Sequence, residues 1–195
     1  MTYRQYLTIP LLLTFLRLLV SPLVLPAILV CVLPYHSLLL NLGAALLFVL
    51  FCLTDFFDGY YARRHKQESI LGKLLDPIAD KCLICATLIA LVYTHKLYFY
   101  WAILILIREF FVMGIRLVAR EYGFVLSVSN MGKLKTAVHT VWLTWVIVNP
   151  YQSDGLIGAF WLNSIEHVLL IASLALSYLS LFIYYRDFRV YLLTF

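Results

Sequence analysis

Charged residues are scarce in this chain of 195 residues, where Asp, Glu, Lys and Arg together make up 13%. A soluble domain is roughly half apolar and roughly a quarter charged, whereas 64% of this chain is hydrophobic. A core of this size cannot bury so much apolar surface, which excludes an ordinary soluble domain. We therefore expect the chain to be an all-α protein whose solvent is a lipid bilayer.

Cysteine and histidine are also few, with 4 Cys and 5 His. All the cysteines lie in apolar runs, and the pair Cys82 and Cys85 has no second cysteine pair or histidine beside it. The histidines show no metal-ligand spacing. We therefore expect structural roles for both residue types, except for His65, which we expect to be solvated. The basic residues lie beside apolar stretches rather than on a polar domain, so the net charge of +5 does not indicate a nucleic-acid partner.

Polar stretches are short, and they separate six apolar stretches that approach the roughly 20 residues needed to cross a bilayer. The stretches cover residues 10–33, 38–56, 78–95, 97–117, 136–151 and 160–184. We predict a single membrane domain over residues 1–195, with an interfacial segment over 1–9 that has no cleavage site of a signal peptide. The last two stretches are expected to provide apolar packing only.

Lysine and arginine set the expected orientation. With the N-terminus in the cytoplasm, Lys96 is the only one of the 15 basic residues that falls on the opposite side. The pattern predicts six transmembrane helices with both termini in the cytoplasm.

The most polar segment is Thr54–Asp80, with the sequence TDFFDGYYARRHKQESILGKLLDPIAD. If residues 46–62 form one helix, Asp55, Asp58, Gly59 and Ala62 share one face of it. These positions place two carboxylates and two small residues together.

A second helix is predicted to start at Gly72, after a turn over residues 64–71. Gly72, Asp76 and Asp80 follow one another at intervals of four and form one stripe. Pro77 allows two readings, because it either opens this helix after an Asp76 cap or interrupts a helix already begun. Both readings keep Asp76 and Asp80 one turn apart, and two antiparallel helices would bring the carboxylate pairs opposite each other.

Four carboxylates near a membrane interface need a cationic partner, because one buried Asp costs roughly 2.5–3.5 kcal/mol at the centre of a span. Hard divalent cations are the better match, and one or two Mg²⁺ or Mn²⁺ bridging a phosphate would fit. The small residues leave room for a ligand, and Arg63 at the edge of the face suits a phosphate or a base carbonyl. The pattern predicts transfer at a pyrophosphate.

The spacing of this segment resembles the signature of the CDP-alcohol phosphotransferases. The matching positions are Asp55-x2-Asp58-Gly59-x2-Ala62-Arg63-x8-Gly72-x3-Asp76-x3-Asp80. Further stretches, including GKLLDPIADK and LIREFFVMGIRLVAREYGFVLSVSNMGKLKTAVH, are similar to the branch of the family that makes phosphatidylglycerophosphate. The similarity runs from Ile9 to about His139 and departs at Leu11, where the family usually has Asn.

The resemblance implies the family's six-helix fold, a homodimer among membrane lipids and two divalent ions. It implies that Asp55, Asp58 and Asp76 hold a first Mg²⁺ or Mn²⁺, and that Asp55, Asp76 and Asp80 hold a second. Asp80 would also be the general base, which makes it the expected catalytic residue. Residues implied to line the CDP site are Gly59, Ala62, Arg63 and Gly72.

The resemblance also implies the reaction. The hydroxyl of glycerol 3-phosphate would attack the lipid-side phosphorus of CDP-diacylglycerol, and CMP would leave. The branch resemblance implies a bacterial inner membrane, and the orientation predicted from lysine and arginine makes the active site face the cytoplasm.

An acceptor that carries a phosphate dianion needs additional cations, and these are expected within residues 108–135. Arg108 and Arg116 lie about on one face of the fourth stretch, and Lys133 and Lys135 lead into the fifth from the same side. We predict that Arg116, Lys133 and Lys135 bind the acceptor phosphate together with Arg108. For Arg108 a structural ion pair with Glu109 is the open alternative, because a deep basic residue needs a partner.

Other functions compete with this interpretation. Inositol phosphate, serine or phosphatidylglycerol could be the acceptor in the same family, although serine gives the additional cations no purpose. A cation channel or carrier would need polar residues through the depth of several helices, whereas here they gather at one face. A scaffold would leave the aspartate spacing unexplained.

Overall fold

The computed structural model describes the backbone of residues 9–64, 70–122, 130–150 and 157–193. Side chains are described for residues 20, 22–54, 78, 81–119, 121–122, 131–150 and 161–191. In the described backbone every regular element is helical. The elements are α1 (Ile9–Val32), a 3₁₀ turn (Leu33–Tyr35), α2 (Leu38–Arg64), α3 (Ile70–Tyr93), α4 (Phe99–Glu121), α5 (Asn130–Val148) and α6 (Ile157–Leu193).

The all-α prediction is confirmed, and within the described ranges each predicted apolar stretch corresponds to one α-helix. The helices continue past the apolar stretches, as was predicted for the two signature helices. α2 ends at Arg64, close to the predicted residue 62, and α3 begins at Ile70, close to the predicted Gly72. The predicted end of the last stretch at 184 is wrong, because α6 ends at Leu193. Lys, Arg and Glu are good helix formers, so a polar residue at the end of an apolar stretch does not end a helix.

One segment of the described residues, Trp161–Tyr191 in α6, is long and apolar enough by length and composition to cross a membrane. It has 31 residues. Shorter apolar helical segments are Pro22–Tyr35, Leu38–Thr54 and Lys81–Tyr93. The number of six spans and the cytoplasmic termini stay predictions.

The helices group into two compact units, residues 1–97 and residues 98–195. In the first unit α1 packs against both α2 and α3. Leu25 and Leu29 of α1 are fully buried, and α2 buries Ala44, Ala45 and Phe48. The two alanines suit close packing, because small residues let helix backbones approach each other. The single membrane domain stays a prediction.

In the second unit α6 packs against both α4 and α5. The hydroxyl of Tyr178 donates to the carbonyl of Leu104 at 3.2 Å, and that of Tyr191 to the carbonyl of Tyr122 at 2.9 Å. The partners rise together along the chain, so α6 runs parallel to α4. Toward α5 the order reverses, since Trp145 contacts the carbonyl of Leu162 and His139 contacts Ser173. α6 is therefore antiparallel to α5.

In α6 the polar residues lie on the buried face and apolar residues on the exposed face, which is the reverse of a helix in a soluble protein. Its buried face carries Ser173, Ser177, Ser180 and Tyr184, at alternating intervals of four, three and four residues. On the outer face Val168, Ile171 and Phe182 are exposed. In a bilayer the outer face meets lipid at no cost, while small polar residues inside permit close packing and hydrogen bonds between helices. The expectation of apolar packing alone is therefore wrong for α6.

We predict that Ser180→Leu destabilises the second unit. The position is 0% exposed, and its hydroxyl accepts a hydrogen bond from Arg108. Overpacking of this kind costs about 1–3 kcal/mol. Thermal unfolding of the purified protein in detergent should show a lower midpoint. The matched control is Ala175→Leu, which adds similar bulk at an exposed position of α6. Equal midpoints for the two variants would contradict the packing described for α6.

Candidate active site

The signature positions lie on two helices of the first unit that contact each other. α2 carries Asp55, Asp58, Gly59, Ala62 and Arg63 in its C-terminal turns. α3 begins at Ile70, so Gly72, Asp76 and Asp80 fall within its first three turns. The predicted pair of helices is confirmed in the backbone. Of the two readings of Pro77, the structure shows the helix already begun before the proline.

The side chains of these signature residues lie outside the described residues. This holds for Asp55, Asp58, Gly59, Ala62, Arg63, Gly72, Asp76 and Asp80. Their expected roles in metal binding, catalysis and CDP binding therefore stay predictions. Residues 65–69 of the predicted turn also lie outside the described residues.

The chemistry of the donor set fits a divalent metal. In the helical backbone Asp55 and Asp58 are three residues apart on α2, and Asp76 and Asp80 are four apart on α3. Each pair therefore falls on one helix face. Carboxylate oxygens are the hard ligands that Mg²⁺ and Mn²⁺ prefer. The described side chains contain no other group of three His, Cys, Asp or Glu that could hold a metal ion.

The cations predicted to bind the acceptor phosphate lie on α4 and α5 of the second unit. Arg108 is buried, with 3% of its surface exposed. Its Nε donates to the carbonyl of Ser177 at 2.8 Å, and its Nη2 donates to Oγ of Ser180 at 2.8 Å. Its Nη1 lies 2.8 Å from Oε1 of Glu109. The ion pair with Glu109, which the sequence left as an alternative for Arg108, is present.

Glu109 pairs with a second cation as well. Its Oε1 accepts a hydrogen bond from Nζ of Lys135, which connects α4 to α5. The side chains of Glu109 and Lys135 are 6% and 5% exposed. A buried carboxylate between two cations avoids the cost of an unpaired charge away from water. Lys133, in contrast, is exposed on α5.

Arg116, in the C-terminal half of α4, makes a different set of contacts. It is half-buried, and its Nη2 donates to the hydroxyl of Tyr184 at 2.8 Å. Its Cζ also lies 4.8 Å from the centroid of the Tyr184 ring, within the range of a cation–π contact. Tyr184 was not among the predicted site residues.

The helix directions bring these groups to one end of the second unit. The C-terminal halves of α4 and α6 lie at the same end of the unit as the N-terminal half of α5. This end therefore holds the acceptor candidates Arg116, Lys133 and Lys135, and also Arg186 and Arg189 of α6. A cluster of cations beside a low-dielectric interior can attract and bind an anion such as a phosphate.

Sequence reasoning missed Ser177, Ser180 and Tyr184, which contact Arg108 and Arg116 of α4. A usable signal was present. Polar residues at intervals of three and four inside an apolar stretch mark one helix face, and in a membrane such a face packs against protein.

Comparison with known proteins gives a consistent result. The sequence model of the CDP-alcohol phosphatidyltransferase family matches residues 7–179. A Rickettsia typhi protein is 34% identical over 168 residues, which cover 86% of this chain and 92% of that protein. A Bacillus subtilis protein is 44% identical over 96 residues, 49% of this chain and half of that protein's length. A Cereibacter sphaeroides protein is 40% identical over 138 residues, 69% of this chain and 60% of that protein. Each of the three is named CDP-diacylglycerol–glycerol-3-phosphate 3-phosphatidyltransferase.

We predict that Glu109→Gln destabilises the protein by about 3–5 kcal/mol, because two buried cations lose their counter-charge. Thermal unfolding in detergent measures the change. The matched control is Asp187→Asn, which removes an ion pair with Arg186 at 3.1 Å whose side chains are 43% and 63% exposed. Exposed pairs contribute about 0–1 kcal/mol, so this control should unfold near the wild-type temperature. A Glu109→Gln protein as stable as the control would contradict the importance assigned to Glu109.

Proposed function

Because the chain belongs to the CDP-alcohol phosphatidyltransferase family, we propose that it transfers the phosphatidyl group of CDP-diacylglycerol to glycerol 3-phosphate. The products are phosphatidylglycerophosphate and CMP, so the protein is a transferase of phospholipid biosynthesis. The observation that carries this proposal is the intact signature on α2 and α3 together with relatives that share one name.

The aspartates of the first unit bind the donor side of the reaction. Asp55, Asp58 and Asp76 hold one divalent cation, and Asp55, Asp76 and Asp80 hold a second. When bound, Mg²⁺ or Mn²⁺ supplies positive charge that stabilises the diphosphate and makes CMP a better leaving group. The spacing of the four aspartates on helical backbone supports this assignment.

The CDP moiety occupies the space that the small signature residues leave. Gly59, Ala62 and Gly72 carry little or no side chain, so the nucleotide and its phosphates can approach the helix backbones. Arg63 donates hydrogen bonds to a phosphate or to the base.

The acceptor is bound by its phosphate and activated at its hydroxyl. Arg116, Lys133 and Lys135 bind the phosphate dianion of glycerol 3-phosphate, and Arg108 adds positive charge beside Glu109. Asp80 takes the proton of the acceptor hydroxyl. The hydroxyl oxygen then bonds to the lipid-side phosphorus, the bond from this phosphorus to the bridging oxygen breaks, and CMP leaves with the electron pair.

The protein works in a membrane in this proposal. Six helices cross the bilayer, both termini lie in the cytoplasm and the active site faces the same side, in a bacterial inner membrane. Two copies form a homodimer, as the family resemblance implies. The exposed apolar face of α6 and the cations at one end of the second unit support the membrane placement and the orientation.

CMP release by the purified protein tests the proposed function. The protein should release CMP from CDP-diacylglycerol when glycerol 3-phosphate and Mg²⁺ or Mn²⁺ are present, and a chelator should stop the reaction until metal is restored. Inositol phosphate, serine and phosphatidylglycerol serve as alternative acceptors. Release with one of these but not with glycerol 3-phosphate would reject the acceptor. No release with any acceptor would reject the enzyme.

Asp80→Asn should lower turnover at least about 100-fold, since a general base contributes roughly 10²–10⁴-fold to a rate. Thermal unfolding should show that the variant remains folded, because the change removes a charge without removing volume. Asp187→Asn is the matched control and should keep wild-type turnover. Near-normal activity of Asp80→Asn would refute the role of Asp80.

A further inference from the structure

We propose that Tyr184 is a positioning residue that sets the acceptor affinity, because it holds Arg116 in the orientation that binds the phosphate of glycerol 3-phosphate. This inference rests on the proposed function of the site. Tyr184 belongs to no part of the signature and lies beyond residues 7–179, which match the family model.

Two contacts of different kinds fix the guanidinium of Arg116. The Tyr184 ring lies 4.8 Å from Cζ, and the Tyr184 hydroxyl accepts a hydrogen bond of 2.8 Å from Nη2. Tyr184 itself is 2% exposed, so the surrounding packing restrains the orientation of its ring. An arginine side chain loses much rotamer freedom when it is ordered. Tyr184 imposes that order before a ligand arrives, which lowers the entropic cost of binding.

Tyr184 leaves donors of Arg116 available for an anion. Arginine has five N–H donors, and the contact with Tyr184 uses one at Nη2. Nε of Arg116 is buried and has no hydrogen-bond partner among the residues that the structure describes. A buried donor without an acceptor is unfavourable, and phosphate oxygens are the acceptors that a guanidinium binds best.

The rest of the α6 face keeps Tyr184 in place. Ser177 and Ser180, seven and four residues before it, contact Arg108 on the same side of α6. Arg108 and Arg116 of α4 are thus held by successive turns of one parallel helix. Arg108 is used within the protein, while Arg116 is half-buried and its Nε has no hydrogen-bond partner among the described residues.

Tyr184→Phe tests the proposal, because it removes the hydroxyl and keeps the ring. We expect the KM for glycerol 3-phosphate to rise about three- to tenfold. The lost hydrogen bond joins Tyr184 to the charged Arg116, and its loss weakens ligand binding only through Arg116. The kcat and the KM for CDP-diacylglycerol should stay at wild-type values. CMP release at varied concentrations of each substrate gives these constants.

Tyr178→Phe is the matched control. It removes a tyrosine hydroxyl from the same helix, and the hydrogen bond of that hydroxyl goes to the carbonyl of Leu104 on α4 rather than to an acceptor candidate. Its KM values should equal those of the wild type. If the KM for glycerol 3-phosphate changes equally in both variants, or if Tyr184→Phe changes only thermal stability, Tyr184 is structural and the proposal is wrong.

A double-mutant cycle with Arg116→Lys separates positioning from an independent effect. A lysine has no planar guanidinium for Tyr184 to orient. Adding Tyr184→Phe to Arg116→Lys should therefore raise the KM for glycerol 3-phosphate no further than Arg116→Lys alone. Multiplication of the two single effects would overturn the proposal. A wild-type protein that releases no CMP with glycerol 3-phosphate would instead reject the proposed function.

Discussion

A buried carboxylate between two cations holds the second unit together. Glu109 accepts hydrogen bonds from Arg108 and Lys135, so one side chain of α4 fixes its neighbour and connects to α5. Arg108 carries the connection on to α6 through Ser177 and Ser180. None of these charges could remain away from water alone. Their pairing links α4, α5 and α6 to one another at these positions.

The inverted polarity of α6 follows from the same constraint. Where lipid is the solvent, apolar packing gives little preference for one helix face over another, and polar contacts have to select the face that packs inward. The serines and Tyr184 provide this selection. At the end of the unit where α4 and α6 end and α5 begins, Arg116 and Lys135 are therefore held by contacts within the unit. In the proposed function, a dianionic acceptor would meet Arg116 and Lys135 in positions that contacts with Tyr184 and Glu109 fix, which lowers the entropic cost of binding.

The sequence predicted the helices and the candidate chemistry to different extents. Six apolar stretches and the signature spacing were sufficient for the helical class and for the two signature helices, because 3.6-residue periodicity and side-chain charge act locally. The continuation of α2 and α3 beyond their apolar stretches was predicted close to Arg64 and Ile70, whereas the end of α6 at Leu193 was missed, because polar residues continue a helix as well as apolar ones. The pairing of Lys135 with Glu109 and the contact of Arg116 with Tyr184 were not predicted, since residues distant in sequence meet only through packing.

Recognition of the acceptor phosphate is the central claim, and a competition experiment tests it most directly. The purified protein receives CDP-diacylglycerol, a divalent metal and equal concentrations of glycerol 3-phosphate and glycerol, which differ only in the phosphate. Mass spectrometry of the lipid products measures the ratio of phosphatidylglycerophosphate to phosphatidylglycerol. The account predicts phosphatidylglycerophosphate almost alone. Comparable amounts of the two lipids would contradict it, because the cations of α4 and α5 would then have no role in selecting the acceptor.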